Sequence, residues 1–157
     1  MRERKIALED AMPLIKEALA QGQEALFSPS GTSMLPTLME GRDTVVLVAP
    51  PTRLRKYDIA LYRRENGQYV LHRVVNVKDT YTFAGDNCLQ YDKGIAPAQV
   101  IAYCTAYIRE GERKALASFS CRMRARILHH LRPLRRVARG VLRSLGGAVD
   151  TNSEKDG

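Results

Sequence analysis

A chain of 157 residues and 17.6 kDa, 45% of it hydrophobic, has enough apolar side chains for one domain core with appendages. No run of about 18 or more apolar residues occurs, which excludes a membrane-spanning helix, and Glu9 and Asp10 stand where a secretion segment needs apolar residues. The net charge of +8 is unevenly placed: residues 121 to 145 hold eight arginines and no acid, and removing those eight from the 25 basic residues leaves 17 against 17 acidic ones.

Residues 1 to 22 read as a helical leader. Asp10 is a candidate cap, Pro13 falls in the first turn, and Met12, Ile15 and Leu19 recur at helical spacing before Gly22. From 23 to 111 the texture is β. Ala25-Leu26-Phe27 leads into the turn Ser30-Gly31-Thr32-Ser33-Met34-Leu35-Pro36, and Thr44 to Val48 is a β-branched run ended by Pro50-Pro51. Asp58 to Tyr62 and Tyr69 to Val75 flank Asn66-Gly67, a strong hairpin signal. Tyr81-Thr82-Phe83 precedes the turn Gly85-Asp86-Asn87, and Val100 to Ile108 is the last strand. Short, closely spaced strands predict a mainly β fold, antiparallel and partly barrel-like, with an N-terminal helix and a C-terminal basic amphipathic helix.

That basic segment covers 112 to 145, with a disordered tail over 146 to 157. Ile127, Leu131, Leu134, Val137, Val141, Leu142 and Leu145 fall on one helical face, opposite Arg132, Arg135, Arg136, Arg139 and Arg143. Pro133 breaks or starts a helix there. Such a segment can lie on an anionic membrane or pack its apolar side on the β body. Nucleic acid is the weakest partner, because no aromatic residue follows Phe119 to stack on bases.

The chemistry gathers at three places. Gly31 and Pro36 stiffen the turn around Ser33, and Met34 can anchor it from beneath, which suits a nucleophile beside converging backbone N–H groups. The same letters also fit a plain surface turn. His72 is the one histidine of the β body and shares a face with Val70 and Val74. A core histidine would look the same. Asp86 and Asp92, in the loop after the next strand, are the acid candidates, and Asp86 also suits a turn. Cys88, Cys104 and Cys121 fit neither a metal spacing nor a disulfide framework. Reduced thiols, a cytoplasmic location and no cofactor or metal follow as expectations.

Gly31-Thr32-Ser33-Met34-Leu35-Pro36-Thr37, Leu71-His72-Arg73-Val74-Val75, and Gly85-Asp86-Asn87 with Asp92 together resemble the signal peptidase superfamily of serine proteases. His72 follows Ser33 by 39 residues and Asp92 follows His72 by 20. A histidine where other branches carry lysine is similar to the archaeal and endoplasmic-reticulum type. The resemblance implies Ser33 as nucleophile, His72 as general base, and Asp92 orienting the imidazole, with Asp86 supporting the loop or standing in for Asp92. Gly31, Thr32 and Met34 would form the oxyanion and substrate contacts, with the Ser33 N–H in the oxyanion hole. Two positions depart from the pattern: Tyr57 where the family has glycine before Asp58, and Cys88 after Gly-Asp-Asn. Without an anchor, the resemblance implies cleavage of a cytosolic or membrane-proximal precursor peptide, peripheral to the inner face of the membrane. The alternatives are a non-catalytic β module that docks peptides or membranes and, more weakly, a self-cleaving switch.

Overall fold

The computed structural model describes residues 7–117, 119–134, 137–138 and 141–142. The expected tail over 146 to 157 and the arginines at 135, 136, 139 and 143 lie outside the described residues.

Helix α1 (Leu8–Ala20) buries Met12 and Ile15 at the spacing its sequence announces, each contributing roughly 2 kcal/mol of apolar burial. It starts earlier than expected. Ala7 takes the cap position without a side-chain bond, so Asp10 belongs to the first turn and Pro13 to the helix interior. Burial of the apolar stripe, rather than capping chemistry, sets where this helix begins.

Eight strands follow: β1 (Ala25–Phe27), β2 (Asp43–Val48), β3 (Ile59–Arg63), β4 (Tyr69–Val77), β5 (Tyr81–Ala84), β6 (Asp92–Ile95), β7 (Val100–Arg109) and β8 (Glu112–Ala115). All pairings are antiparallel, in the order β1-β2-β7-β3-β4-β5-β6, with β8 attached to β7. The sheet curves through register shifts in four of its pairings but does not close, which corrects the barrel-like expectation. Its end strands, β1 and β6, have three and four residues and pair only inward, so no ladder joins them.

The ten residues of β7 make it the hub. One edge pairs with β2; the other is shared by β3 along Val100–Cys104 and by β8 along Ala106–Arg109. Strand β8 corrects the expectation that the chain turns helical after Gly111. Glu110 and Gly111 both take positive φ (53° and 78°), so a tight hairpin extends the sheet first. Helix α2 (Phe119–His130) comes next, and helical backbone resumes at Arg132 beside Pro133.

Each face of the sheet carries apolar residues. One cluster joins Met34, Leu38, Val45, Leu47, Ile59, Leu61 and Cys104 under α1. The other joins Leu54, Ala60, Tyr62, Val74, Tyr81, Phe83 and Ile95. Among the described residues no helix is long and apolar enough to cross a membrane.

Candidate active site

The turn carrying Ser33 lies between β1 and β2 and is fixed from below. Met34 and Leu38 are buried in the first core, as the sequence led one to expect of Met34. Gly31 has φ +82°, a conformation that favours glycine, and the Leu35–Pro36 bond is cis. Two buried carboxylates hold the rest of the loop. Asp43 accepts from the Met39 N–H (2.8 Å) and from Arg109 (2.7 Å), which also donates to the Thr37 carbonyl (3.2 Å). Those bonds outweigh the cost of burial and keep its carboxyl ionised far below the ordinary range. Asp86 accepts from the Thr37 hydroxyl and takes a two-pronged grip from Arg73 (2.8 and 2.7 Å). Both Asp86 oxygens accept from Arg73 or Thr37, which anchors the loop, the first of the two roles the resemblance implies for it.

The loop Gly85–Cys88 closes over the serine turn. The Asn87 N–H donates to the Ser33 carbonyl (2.8 Å) and its side-chain amide to the Thr32 carbonyl (3.2 Å). A Cβ on Gly85 would stand 2.6 Å from the Ser33 carbonyl oxygen, 2.8 Å from Cys88 Sγ and 3.0 Å from His72 Nε2. The Ser33 backbone carbonyl and the Nε2 edge of the imidazole thus flank one small spot. Both residues line a cleft of about 420 Å³ together with Gly31, Met34, Glu40, Leu71 and Cys88. Thr32 does not line it. A second groove of about 720 Å³ along α1 and β1 shares Phe27, Pro29, Ser30 and Glu40 with the first.

On the other side of the ring, His72 Nδ1 faces Asp92 Oδ2 at 3.5 Å and the Tyr62 hydroxyl at 3.3 Å. The Tyr62 hydroxyl also donates to Asp92, and Arg64 pairs with the same carboxylate at 2.7 Å. Asp92 opens β6 opposite Phe83 rather than riding on a loop, so strand register fixes its carboxylate. Tyr62, stacked on Phe83 with centroids 4.1 Å apart, and Arg64 are the members of this group that sequence reasoning missed.

Burial sets the protonation states. His72 is 6% exposed, and desolvation lowers its pKa to about 4, outweighing the pull of Asp92 in the other direction. Burial pushes the Asp92 carboxyl up, but the Arg64 and Tyr62 hydrogen bonds overcome it and keep the group below its usual value. Burial, reinforced by Asp92, drives the Tyr62 phenol well above its usual value, so it stays a donor. The ring is therefore neutral and the acid charged at pH 7.

This carries a stability signature. The unfolded imidazole binds a proton near pH 6.5 and the folded one only near 4, so its contribution is complete above 6.5 and lost as pH falls through that window. The loss across that window is about 3 kcal/mol. Urea unfolding of wild type and His72→Gln at pH 7.5 and 4.5 should show the extra acid loss in wild type alone. Parallel losses in both proteins would contradict it.

Two expectations change. The Gly31 N–H is occupied by a Glu40 carboxylate oxygen at 2.7 Å, so in this conformation it is not a free oxyanion donor. Among the described residues the Ser33 N–H has no hydrogen-bond partner, and no hydrogen bond joins the Ser33 hydroxyl to His72. Arg132, expected on the charged face turned toward a membrane surface, is 4% exposed. It donates to the Gly85 carbonyl at 2.6 Å and lies over the Tyr91 ring. Tyr57, where the resemblance has glycine, takes φ +78° and sets its ring edge-on to His129 of α2. The departure supplies a contact for the C-terminal helix.

No family model, curated protein or solved structure matches this chain.

Proposed function

We propose that the chain is a serine endopeptidase of the signal-peptidase type, hydrolysing a peptide bond in a cytosolic or membrane-proximal precursor through an acyl-enzyme on Ser33. The observation that carries this reading is the two-sided setting of His72. Its Nδ1 edge meets a charged Asp92, and its Nε2 edge and the Ser33 backbone carbonyl crowd the same point at Gly85, with both residues lining one cleft.

The chemistry follows from the protonation states. A carboxylate beside Nδ1 favours the tautomer with hydrogen there, which leaves the Nε2 lone pair toward the serine. Nε2 takes the Ser33 proton as Oγ attacks the peptide carbonyl, then returns it to the departing amine. Asp92 stabilises the imidazolium that forms in between, and Arg64 and Tyr62 hold Asp92 in place. The Ser33 N–H is the available donor for the tetrahedral oxyanion. The joined grooves along β1 give an extended peptide a path to the serine.

A fluorophosphonate probe should label wild type at Ser33. Labelling should vanish in Ser33→Ala and fall steeply in His72→Ala. A folded wild type that neither labels nor cleaves any peptide of a diverse library would end the enzyme reading. It would favour the second one, a non-catalytic β module, for which the Glu40 carboxylate on the Gly31 N–H is the supporting observation.

A further inference from the structure

We infer that the segment beginning with α2 is a docking surface for an anionic lipid bilayer. The sequence leaves two ways to satisfy its apolar stripe, burial on the β body or burial in lipid. The body takes a different face. Ala125, Leu128 and Arg132, spaced three and four residues apart, are the buried positions, and His129 meets Tyr57. The stripe itself is uncovered: Ile127 is 53% exposed, Leu131 40% and Leu134 65%, and Val137, Val141 and Leu142 are exposed as well. Scattered exposed leucines are ordinary; a row of them at helical spacing is an interaction face.

Charge selects the occupant. Residues 121 to 145 carry eight arginines and no acid, and Arg124 and Arg126 are exposed beside the stripe. A second copy of the chain would bring another eight arginines against the first. A nucleic acid would satisfy the charge but leave the leucines and valines in water, with no Phe, Tyr or Trp in the segment after Phe119 to stack on a base. A bilayer with anionic headgroups answers both, taking the apolar stripe at the acyl boundary and the guanidinium groups at the headgroups. Arg132 meanwhile ties the same helical segment to Gly85, so lipid-bound protein would hold the Ser33–His72 cleft within one arginine side chain of the docked element. That last consequence rests on the hydrolytic reading of the cleft; the docking does not.

Co-sedimentation of the full chain with vesicles tests it, using phosphatidylcholine alone or mixed with phosphatidylglycerol. Pelleting is expected with the mixed vesicles and at least about tenfold weaker with the neutral ones, and it should decline with added salt. Ile127→Gln with Leu134→Gln keeps every charge and replaces exposed residues by a good helix former, so the fold should persist. It is expected to weaken binding about tenfold or more. No pelleting, equal pelleting with both vesicles, or no effect of the double substitution overturns the inference. So does a dimer in sedimentation velocity that the same substitutions abolish, or binding to RNA without binding to vesicles. Probe labelling of Ser33 on the same samples keeps the two readings apart, because lost pelleting with intact labelling overturns docking alone.

Discussion

Asp86→Leu is expected to cost about 4 kcal/mol of stability, whereas Asp92→Asn should stay within about 1 kcal/mol of wild type while slowing probe labelling about a thousandfold. The two acids stand six residues apart and look interchangeable on paper, but their surroundings assign them different work. Asp86 and Arg73 are both almost fully buried, joined by two hydrogen bonds, with the Thr37 hydroxyl donating to the same carboxylate. Removing the acid leaves a guanidinium deep in the protein without its counter-charge, a loss much larger than the pair's net worth. Arg73→Met added to Asp86→Leu should therefore recover part of the loss, and urea unfolding reads both steps.

Asp92 sits in a half-open position, its partner Arg64 partly in water, so an amide there keeps acceptor contacts to Arg64 and Tyr62 at little cost. What the amide cannot do is favour hydrogen on His72 Nδ1 and balance the imidazolium. Stability should persist while the chemical step collapses. Wild-type labelling in Asp92→Asn, together with inertness in a still-folded Asp86 variant, would reverse the two roles.

Much of this arrangement was legible in the sequence because it depends on local chemistry. Six of the eight strands follow β-branched or aromatic runs bounded by glycine, proline and asparagine. The two that escaped, β6 and β8, have the compositions Asp-Lys-Gly-Ile and Glu-Arg-Lys-Ala, polar runs that become strands only because a neighbouring edge is free to pair with them. Long-range pairing, not propensity, makes them.

Tyr62 escaped for a subtler reason. A two-residue Asn66-Gly67 turn would set Leu61 opposite His72 and send Tyr62 to the other face. The chain instead makes a longer turn, with the Gly67 N–H donating to the Arg64 carbonyl (2.9 Å), Asn66 capping the Gln68 N–H (3.0 Å), and Gly67 at φ +87°. That shifts the register by one, so Ala60 faces His72 and Tyr62 joins the imidazole's side. One residue of turn geometry decides whether the histidine has a phenol beside it. Arg132 was misread because amphipathicity counts sides of a helix without saying which side the body takes. Here the body takes alanine, leucine and one arginine, which spans to a backbone carbonyl.

Gly85→Ala is expected to lower the probe-labelling rate about a hundredfold in a protein that still folds. The glycine reads as a turn former in Gly85-Asp86-Asn87, yet it has no positive φ to justify it. Its justification is space. A methyl group there would meet the Ser33 carbonyl at 2.6 Å, closer than such atoms can stand, with Cys88 Sγ and His72 Nε2 crowding it from two more directions. The sulfur and the ring can swing aside; the carbonyl is backbone and already accepts the Asn87 N–H at 2.8 Å. Relief must come from moving the serine turn or the loop, at about 1 to 3 kcal/mol of overpacking, and either motion changes how Ser33 stands relative to His72. A displacement of about 1 Å at a reacting pair costs about a hundredfold in rate. Adding Cys88→Ala frees one of the three contacts and should restore stability more than rate, because the backbone contact remains. Unchanged labelling and unchanged stability in Gly85→Ala would mean that the loop does not press on the serine turn and does not set its placement beside the imidazole.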